Sequence, residues 1–385
     1  MDGKWTRREA LRGLAATSLA LTMGRGFGAP AEGERPNVLF ILTDDQRWDA
    51  LGCLGHPFLE TPNLDRIRRE GALFANAFVT TSLCSPSRAS FLTGCYAHTH
   101  GVMQNEKRDF DFAATPSFAQ LLQQSGYHTG YIGKWHMAGT AEPRPGFDYW
   151  LSFRGQGVYN DPPLNENGRE FKATGYMSDL LTDYALQFLD RAPDSQPFCL
   201  YLSHKAVHGP FTPASRHAEQ WPGKALPEPP NYRDDFTGKP EWMRNAYGGK
   251  AARVVNNRAV EDNRETPPIP PWDGGRKATL DYYRAIAAVD EGVGKVLALL
   301  EKQGRQDNTV IVFAGDNGFF WGEHRRGDKR LMYEESLRIP LLIRYPKLVK
   351  PGSTITRMAL NIDLAPTLLD LAGLPVPAHM QGRSW

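Results

Sequence analysis

Two acidic pairs in this sequence have the residue types to hold a cation. Asp44-Asp45 follows the apolar run Asn37 to Leu42, and Asp316-Asn317 follows a second run, Thr309 to Ala314. Three carboxylates and one amide offer four oxygen donors without sulfur or imidazole, the donor set of a hard cation. Taken singly, either pair could equally be a helix cap or a turn; a metal site requires the two to converge. Between them lies Cys84-Ser85-Pro86-Ser87-Arg88. Pro86 suits the first position of a helix, which would put Cys84 at the helix N-terminus, where free N–H groups and the dipole favour an anion. Arg88, one turn on, would brace a nucleophile there through charge-assisted hydrogen bonds. The bland alternative is a buried cysteine ahead of a helix. Ser203-His204-Lys205-Ala206-Val207-His208-Gly209-Pro210 adds two histidines, whose ordinary pKa suits proton transfer near neutral pH. His204 reads as a structural residue at a strand end.

The elements that must position these residues are legible in the spacing of apolar residues. Asn37 to Leu42, Phe198 to Leu202 and Thr309 to Ala314 are continuous apolar runs, the pattern of strands buried on both faces of a parallel sheet. Thr61-Pro62 supplies a cap and a first-turn proline, Leu64 and Ile67 share a face, and Gly71 is a stop. The same pattern recurs at Thr115-Pro116, with Phe118, Leu121 and Leu122 apolar and Gly126 closing, ahead of the strand-like Tyr127 to Ile132. Leu280, Tyr283, Ala287, Val293, Leu297 and Leu300 mark an amphipathic helix ended by Gly304. Strands alternating with helices predict a doubly wound α/β fold, in which ligands bind beyond the carboxyl ends of the strands. The polar clusters fall at those ends. Trp221 to Pro271 is proline-rich and breaks the pattern; it reads as a long surface excursion that either shapes a pocket or is merely solvated.

Composition excludes several classes. Of 385 residues, 41% are apolar and 23% charged, the balance of a globular protein. A net charge of +2 without a basic block gives no electrostatic footprint for nucleic acid. The four cysteines, Cys53, Cys84, Cys95 and Cys199, form neither a regular disulfide framework nor a zinc motif. The start differs: Arg7-Arg8, an apolar stretch from Leu14 to Met23 and Ala29-Pro30-Ala31 read as an export signal over residues 1–31, resembling the twin-arginine type, with a disordered tail as the alternative. The stretch is too short to span a bilayer. The expected product is an exported protein, periplasmic or secreted, without stable membrane insertion.

The string from Cys84 to Gly94 resembles the type I sulfatase signature at every defining position: the cysteine, Pro86, Arg88 and Leu92-Thr93-Gly94. The resemblance runs from Arg35 to the end. It implies an alkaline-phosphatase-like sandwich, with a large mixed, mostly parallel sheet flanked by helices, over residues 32–385. It also implies that a maturation enzyme converts Cys84 to formylglycine. Of the two hydroxyls on the hydrated aldehyde, one would attack sulfur and expel the alcohol; the other would drive sulfate release and restore the aldehyde. Asp44, Asp45, Asp316 and Asn317, with residue 84, would be the ligands of a metal ion, usually calcium. Gly133-Lys134-Trp135-His136 resembles the family element in which the lysine holds sulfate and the histidine contacts the nucleophile. The His-x-Pro pattern selects His208 as the acid for the leaving oxygen. Lys329, in Asp328-Lys329-Arg330, resembles a second sulfate-binding lysine; His98 and His100 stand as surrounding residues.

The segment from Asp316 through Asn361-Ile362-Asp363-Leu364-Ala365-Pro366-Thr367, with Asn165-Glu166-Asn167-Gly168, is most similar to N-acetylglucosamine-6-sulfatases and mucin-desulfating relatives. Residues 133–136 instead follow the arylsulfatase form. The implied substrate is a sulfated saccharide such as 6-sulfated N-acetylglucosamine. Two other readings stay open: a phosphonate monoester or phosphodiester hydrolase of the same superfamily, and a non-catalytic glycan-binding relative. Such proteins usually continue past the segment ending at Trp385 into a small C-terminal subdomain, so a missing or truncated subdomain is expected.

Overall fold

The computed structural model describes residues 35–105, 108–234, 236–239 and 271–385; the export signal expected over residues 1–31 lies outside them. In its first half the chain forms β1 (Asn37–Thr43), α1 (Pro62–Glu70), β2 (Ala72–Phe78), α2 (Cys84–Thr93), α3 (Phe118–Gln124), β3 (His128–Lys134), β4 (Tyr149–Phe153), β5 (Pro163–Glu166), β6 (Arg169–Lys172) and α4 (Met177–Arg191). There follow β7 (Phe198–Ser203), α5 (Lys277–Lys302), β8 (Thr309–Gly315), β9 (Phe320–Trp321), β10 (Gly327–Asp328), β11 (Leu341–Arg344), β12 (Ser353–Leu360) and α6 (Leu364–Leu371).

Ten strands make one sheet in the order β12-β2-β11-β8-β1-β7-β3-β4-β5-β6. Its centre, β8-β1-β7-β3-β4, is parallel. β11 runs antiparallel to β8 and β2, and β5 and β6 continue the other side antiparallel. Helices cover both faces, and β1 shows why its sequence is apolar throughout. Leu39 and Ile41 join the core under α1, α4 and α5, whereas Val38, Phe40 and Leu42 join the core under α2, α3 and α6. All five are fully buried, each favouring the fold by roughly 1.5–3 kcal/mol over exposure. Among the described residues, no helix is long and apolar enough to cross a membrane.

Several local expectations are corrected by long-range contacts. Thr61 does not cap α1; its hydroxyl accepts from the Gly52 N–H at 2.8 Å and donates to Asp65. The N–H groups of Asn63 and Leu64 donate instead to Asp290 of α5, at 3.1 and 2.8 Å. For α3 the cap is Ser117, not Thr115: Ser117 and Gln120 satisfy each other's backbone N–H groups in a capping box. Pro86 is the third residue of α2, where its missing N–H is still one of the first-turn donors that no helix carbonyl would accept. α5 is less one-sided than expected, since every residue from Thr279 to Asp290 is buried.

Where it is described, the excursion after Trp221 is not a free loop. Leu226 exchanges hydrogen bonds with Gly274 and Trp272, and Asn231 bonds His324 and Glu335. Residues 226–231 line one wall of a cavity of about 630 Å³ that also includes Arg47, His56, Tyr283 and Trp321. Residues 240–270 lie outside the described part.

Gly133 fixes the approach of β3 to β7. Its φ is +120°, and a Cβ there would lie 1.8 Å from the Ser203 carbonyl oxygen, a contact that backbone on both sides prevents from relaxing. Gly133→Ala is therefore expected to cost on the order of 3 kcal/mol of folding stability, read from the midpoint of chemical denaturation. A loss below about 0.5 kcal/mol would mean that the two strands can part there.

Candidate active site

Four adjacent parallel strands deliver the site. At their carboxyl ends β8 presents Asp316 and Asn317, β1 presents Asp44 and Asp45, β7 leads into His204 and Lys205, and β3 ends on Lys134. Consecutive residues of a strand point to opposite faces, so Asp44 and Asp45 could not converge if β1 simply continued. Asp45 breaks the alternation with a left-handed φ of 59°. That conformation is secured by its N–H donating to Asp316 Oδ1 at 3.0 Å and its carbonyl accepting from the Tyr282 hydroxyl at 2.8 Å. Asp44 is tied to the β7 loop by its N–H to the Ala206 carbonyl and by the Val207 N–H to its own carbonyl.

Cys84 is the first residue of α2 and is fully buried. Its Sγ lies 3.4 Å from Asp44 Oδ1, and ligand atoms of Asp44, Asp45, Cys84 and Asp316 all fall within 4.8 Å of one another. α2 is held in register from outside itself. The Ser85 N–H donates to Asn105 Oδ1 at 3.0 Å, and the Ser85 hydroxyl donates to the His136 carbonyl. Burial, then the Asp44 carboxylate, pushes the Cys84 thiol well above its ordinary pKa. The unmodified side chain is therefore a protonated thiol and a poor nucleophile.

Charges around the cluster are paired. Lys134 donates to Asp44 and to Gln156 Oε1. Lys329 Nζ meets both oxygens of Asp45 at 2.6 Å; burial lowers its pKa, but Asp45, Cys84 and Asp44 together hold the ammonium above its usual value. Arg88 was expected to brace the nucleophile; its hydrogen bonds run instead from Nε to Asp316 at 2.9 Å and from Nη1 to Ser203 Oγ and the Lys134 carbonyl. The guanidinium is drawn to the strand ends because a buried carboxylate is its strongest available partner. Nη2 stays buried with no hydrogen-bond partner, 3.9 Å from Asp44 Oδ1.

Burial raises Asp44, but Lys134, His208, Arg88 and Lys329 together pull it well below the normal carboxylate range. Asp316 goes the other way, because burial and the nearby Asp44 charge exceed what Arg88 returns. The residues fit a hard cation. Asn317 donates through Nδ2 to Asp45 Oδ1 at 2.7 Å and to the Gly318 carbonyl, which leaves its Oδ1 buried and without a partner among the three carboxylates.

The histidines divide by position. His208 is more open than the carboxylates and lysines of the site, with its side chain 19% exposed and Nε2 3.7 Å from Asp45. Its Nδ1 lies 2.7 Å from the Gly209 carbonyl, which assigns the Nδ1–H tautomer and leaves Nε2 to face the site. Burial lowers its pKa. His136 is buried, with burial and then Lys134 lowering its pKa. His204 is fully buried, and burial brings it to about 4, so it stays neutral. His100 packs behind α2 against Ser90, and His98 is exposed. Sequence reasoning missed Asn105, Gln156, Tyr159 and Lys205. Of these only Lys205 carried a signal, as a charged residue inside an apolar strand-end string.

A family model described as Sulfatase matches residues 36–374. The N-acetylglucosamine-6-O-sulfatase of Bacteroides thetaiotaomicron is 38% identical over 92% of this chain and 70% of its own length. Human N-acetylglucosamine-6-sulfatase is 32% identical over 93% of this chain and 65% of its own. The chain thus spans only part of the length of either relative. A solved structure described as a complex with its substrate D-glucosamine-2-N,6-O-disulfate superposes with a TM-score of 0.79 at 36% identity, covering 91% of this chain and 79% of the other. The phosphonate monoester hydrolase of Silicibacter pomeroyi superposes with a TM-score of 0.69 at 25% identity, covering 91% and 75%.

Asp44, Asp45, Asp316 and Asn317 come together as a ligand set only in the folded chain, so a cation bound there stabilises the fold. Stripping divalent ions is expected to lower the thermal unfolding midpoint by on the order of 5 °C, with calcium restoring it. An unfolding curve indifferent to chelator and to added calcium would remove the cation from the site.

Proposed function

Because the chain belongs to the sulfatase family, we propose that it hydrolyses sulfate esters of glucosamine-type saccharides, with formylglycine made from Cys84 as nucleophile and calcium as resident ion. The observation that carries this reading is the convergence of Cys84 with Asp44, Asp45 and Asp316 at the carboxyl edge of a parallel sheet. Asp44, Asp45, Asp316 and Asn317 would hold the ion. Formylglycine supplies a hydrated aldehyde able to attack sulfur, and the ion supplies positive charge to polarise the sulfate and hold the nucleophile.

The chain's own groups do the rest. With Asp44 and Asp45 engaged as ligands, Lys134 and Lys329 would be free of those carboxylates and able to bind sulfate oxygens. Arg88 keeps Asp316 in place through Nε and has Nη2 left to donate to a hydroxyl at residue 84. His136, buried beside Lys134, is placed to contact the same hydroxyl. His208 faces inward through Nε2 while its Nδ1–H is held by the Gly209 carbonyl; when the ring is doubly protonated, Nε2 gives its proton to the leaving oxygen and the ring returns to the Nδ1–H neutral form.

The glucosamine assignment is supported by the relatives' substrates, and 6-sulfated N-acetylglucosamine is the expected first choice. Export through the segment 1–31, and maturation by a formylglycine-generating enzyme, complete the proposal.

Peptide mass spectrometry of active protein should find formylglycine at position 84, and Cys84→Ala should abolish turnover without unfolding the protein. Active protein carrying only cysteine would refute the nucleophile. Turnover of aryl phosphonate in preference to aryl sulfate and 6-sulfated glucosamine would transfer the chain to the phosphonate hydrolases.

His208→Ala should slow sugar sulfates, whose leaving alcohols need a proton, at least tenfold more than activated aryl sulfates, a difference of roughly 1.4 kcal/mol in transition-state stabilisation. Equal losses on both substrates would take the acid role away from His208.

A further inference from the structure

Three cationic side chains are matched one to one with the carboxylates of the cluster, and a fourth is buried at the same edge of the sheet. Arg88 pairs with Asp316 at 2.9 Å, Lys134 with Asp44, and Lys329 with Asp45 at 2.6 Å. Lys205 is the fourth and has no carboxylate partner. The residue is 1% exposed, its Nζ is buried without a hydrogen-bond partner, and it lies 4.5 Å from the centroid of the Tyr159 ring. Tyr159 cannot be a counter-anion. Its hydroxyl donates to the His208 carbonyl at 2.8 Å, and burial keeps the phenol well above its ordinary pKa. The ring offers only the attraction of its face for a cation. Lys205 sits two residues past β7 at the carboxyl edge of the sheet, next to Ala206, whose carbonyl accepts from the Asp44 N–H at 2.9 Å, so its buried ammonium lies between the metal-ligand loop and the Tyr159–His208 contact.

An ammonium has three donors and no acceptor, and leaving all three unmet in the interior is unfavourable. Such a group is retained where an anion completes it. The charge count agrees: four cations against three carboxylates leave one positive charge, and a bound divalent cation would raise the surplus to three. The site is organised to receive negative charge beyond what its own carboxylates provide.

We propose that Lys205 is a further sulfate-binding residue, its ammonium meeting an oxygen of the sulfuryl group alongside Lys134 and Lys329 while the Tyr159 ring holds the side chain in line. This inference rests on the sulfatase reading of the site. Because sulfate is also the product, Lys205 binds inorganic sulfate as well as the ester.

The test compares the calcium-loaded, formylglycine-bearing wild type with Lys205→Met, which keeps the stem and removes the charge, and with Lys205→Arg. The measurements are the inhibition constant of inorganic sulfate against an aryl sulfate, kcat/KM, and the thermal midpoint. Lys205→Met should weaken sulfate inhibition and lower kcat/KM by about tenfold each, as expected for one charge-assisted hydrogen bond. Lys205→Arg should recover part of both, and the midpoint should move by less than about 2 °C. An unchanged sulfate inhibition constant in Lys205→Met would overturn the proposal even if kcat fell, because a merely structural role predicts that split. Crystals of the wild type soaked with inorganic sulfate give a check independent of how the variants fold. Nζ within about 3.2 Å of a sulfate oxygen is expected, and a sulfate bound at Lys134 and Lys329 with Nζ beyond about 5 Å would overturn it. A wild type that neither hydrolyses sulfate esters nor binds sulfate would defeat the sulfatase reading itself, an outcome separate from the failure of Lys205.

Discussion

Asp44, Asp45 and Asp316 share a space from which solvent is excluded, and the surrounding structure is organised to keep them charged together. None is more than 1% exposed. A lone carboxylate in such surroundings would take up a proton, and Asp316 shows the tendency by moving upward. What prevents collapse of the cluster to neutral acids is one cation per carboxylate, from Arg88, Lys134 and Lys329. These ion pairs are buried, so desolvation offsets much of their attraction and they add little net stability. Their value is that they keep oxygen donors ionised and aimed at one point.

That requirement explains the topology around the site. Only neighbouring parallel strands bring their carboxyl ends side by side, and β8, β1, β7 and β3 are four in a row. The antiparallel strands lie outside this group, where they complete the sheet without carrying the cluster. α2 enters the same point with its N-terminus, adding a positive dipole end to the cations. The left-handed turn at Asp45 is the one departure from regular backbone that lets two adjacent carboxylates face the same way, and Tyr282 of the buried α5 holds it. A helix far along the chain thus supports the geometry of the first strand.

Enclosure also separates the roles of the site's groups. Cys84, Lys134 and the carboxylates are buried, while His208, with 19% of its side chain exposed, lies nearer to solvent. Burial and the Asp44 charge push the unmodified thiol above its ordinary pKa, which agrees with the proposal that a modified residue 84 supplies the nucleophile. The cavity walled by residues 226–231 is separate from the cluster, since Cys84, Lys134 and His208 do not line it. Its acidic and aromatic lining, including Asp49, Glu323 and Trp321, differs in charge from the cation-rich cluster.

Much of this was legible from the chain alone. Continuous apolar runs identify strands covered on both sides, and polar residues immediately after them identify the sheet edge where ligands bind, because both signals are local. The Cys84 string carried the family resemblance, because its residues are consecutive in the chain. Tertiary structure decided which groups answer one another. Asp290 caps a helix that begins 228 positions earlier, at Pro62; Arg88 turns to Asp316; Lys329 reaches back to Asp45; Lys205 is buried against the Tyr159 ring with its ammonium unpartnered. Such pairings follow from strand order and register, which place residues hundreds of positions apart within hydrogen-bonding distance. A buried charge has no periodicity of its own to announce its partner. Its identity is written in the sequence, but its energy depends on what the folded chain brings beside it.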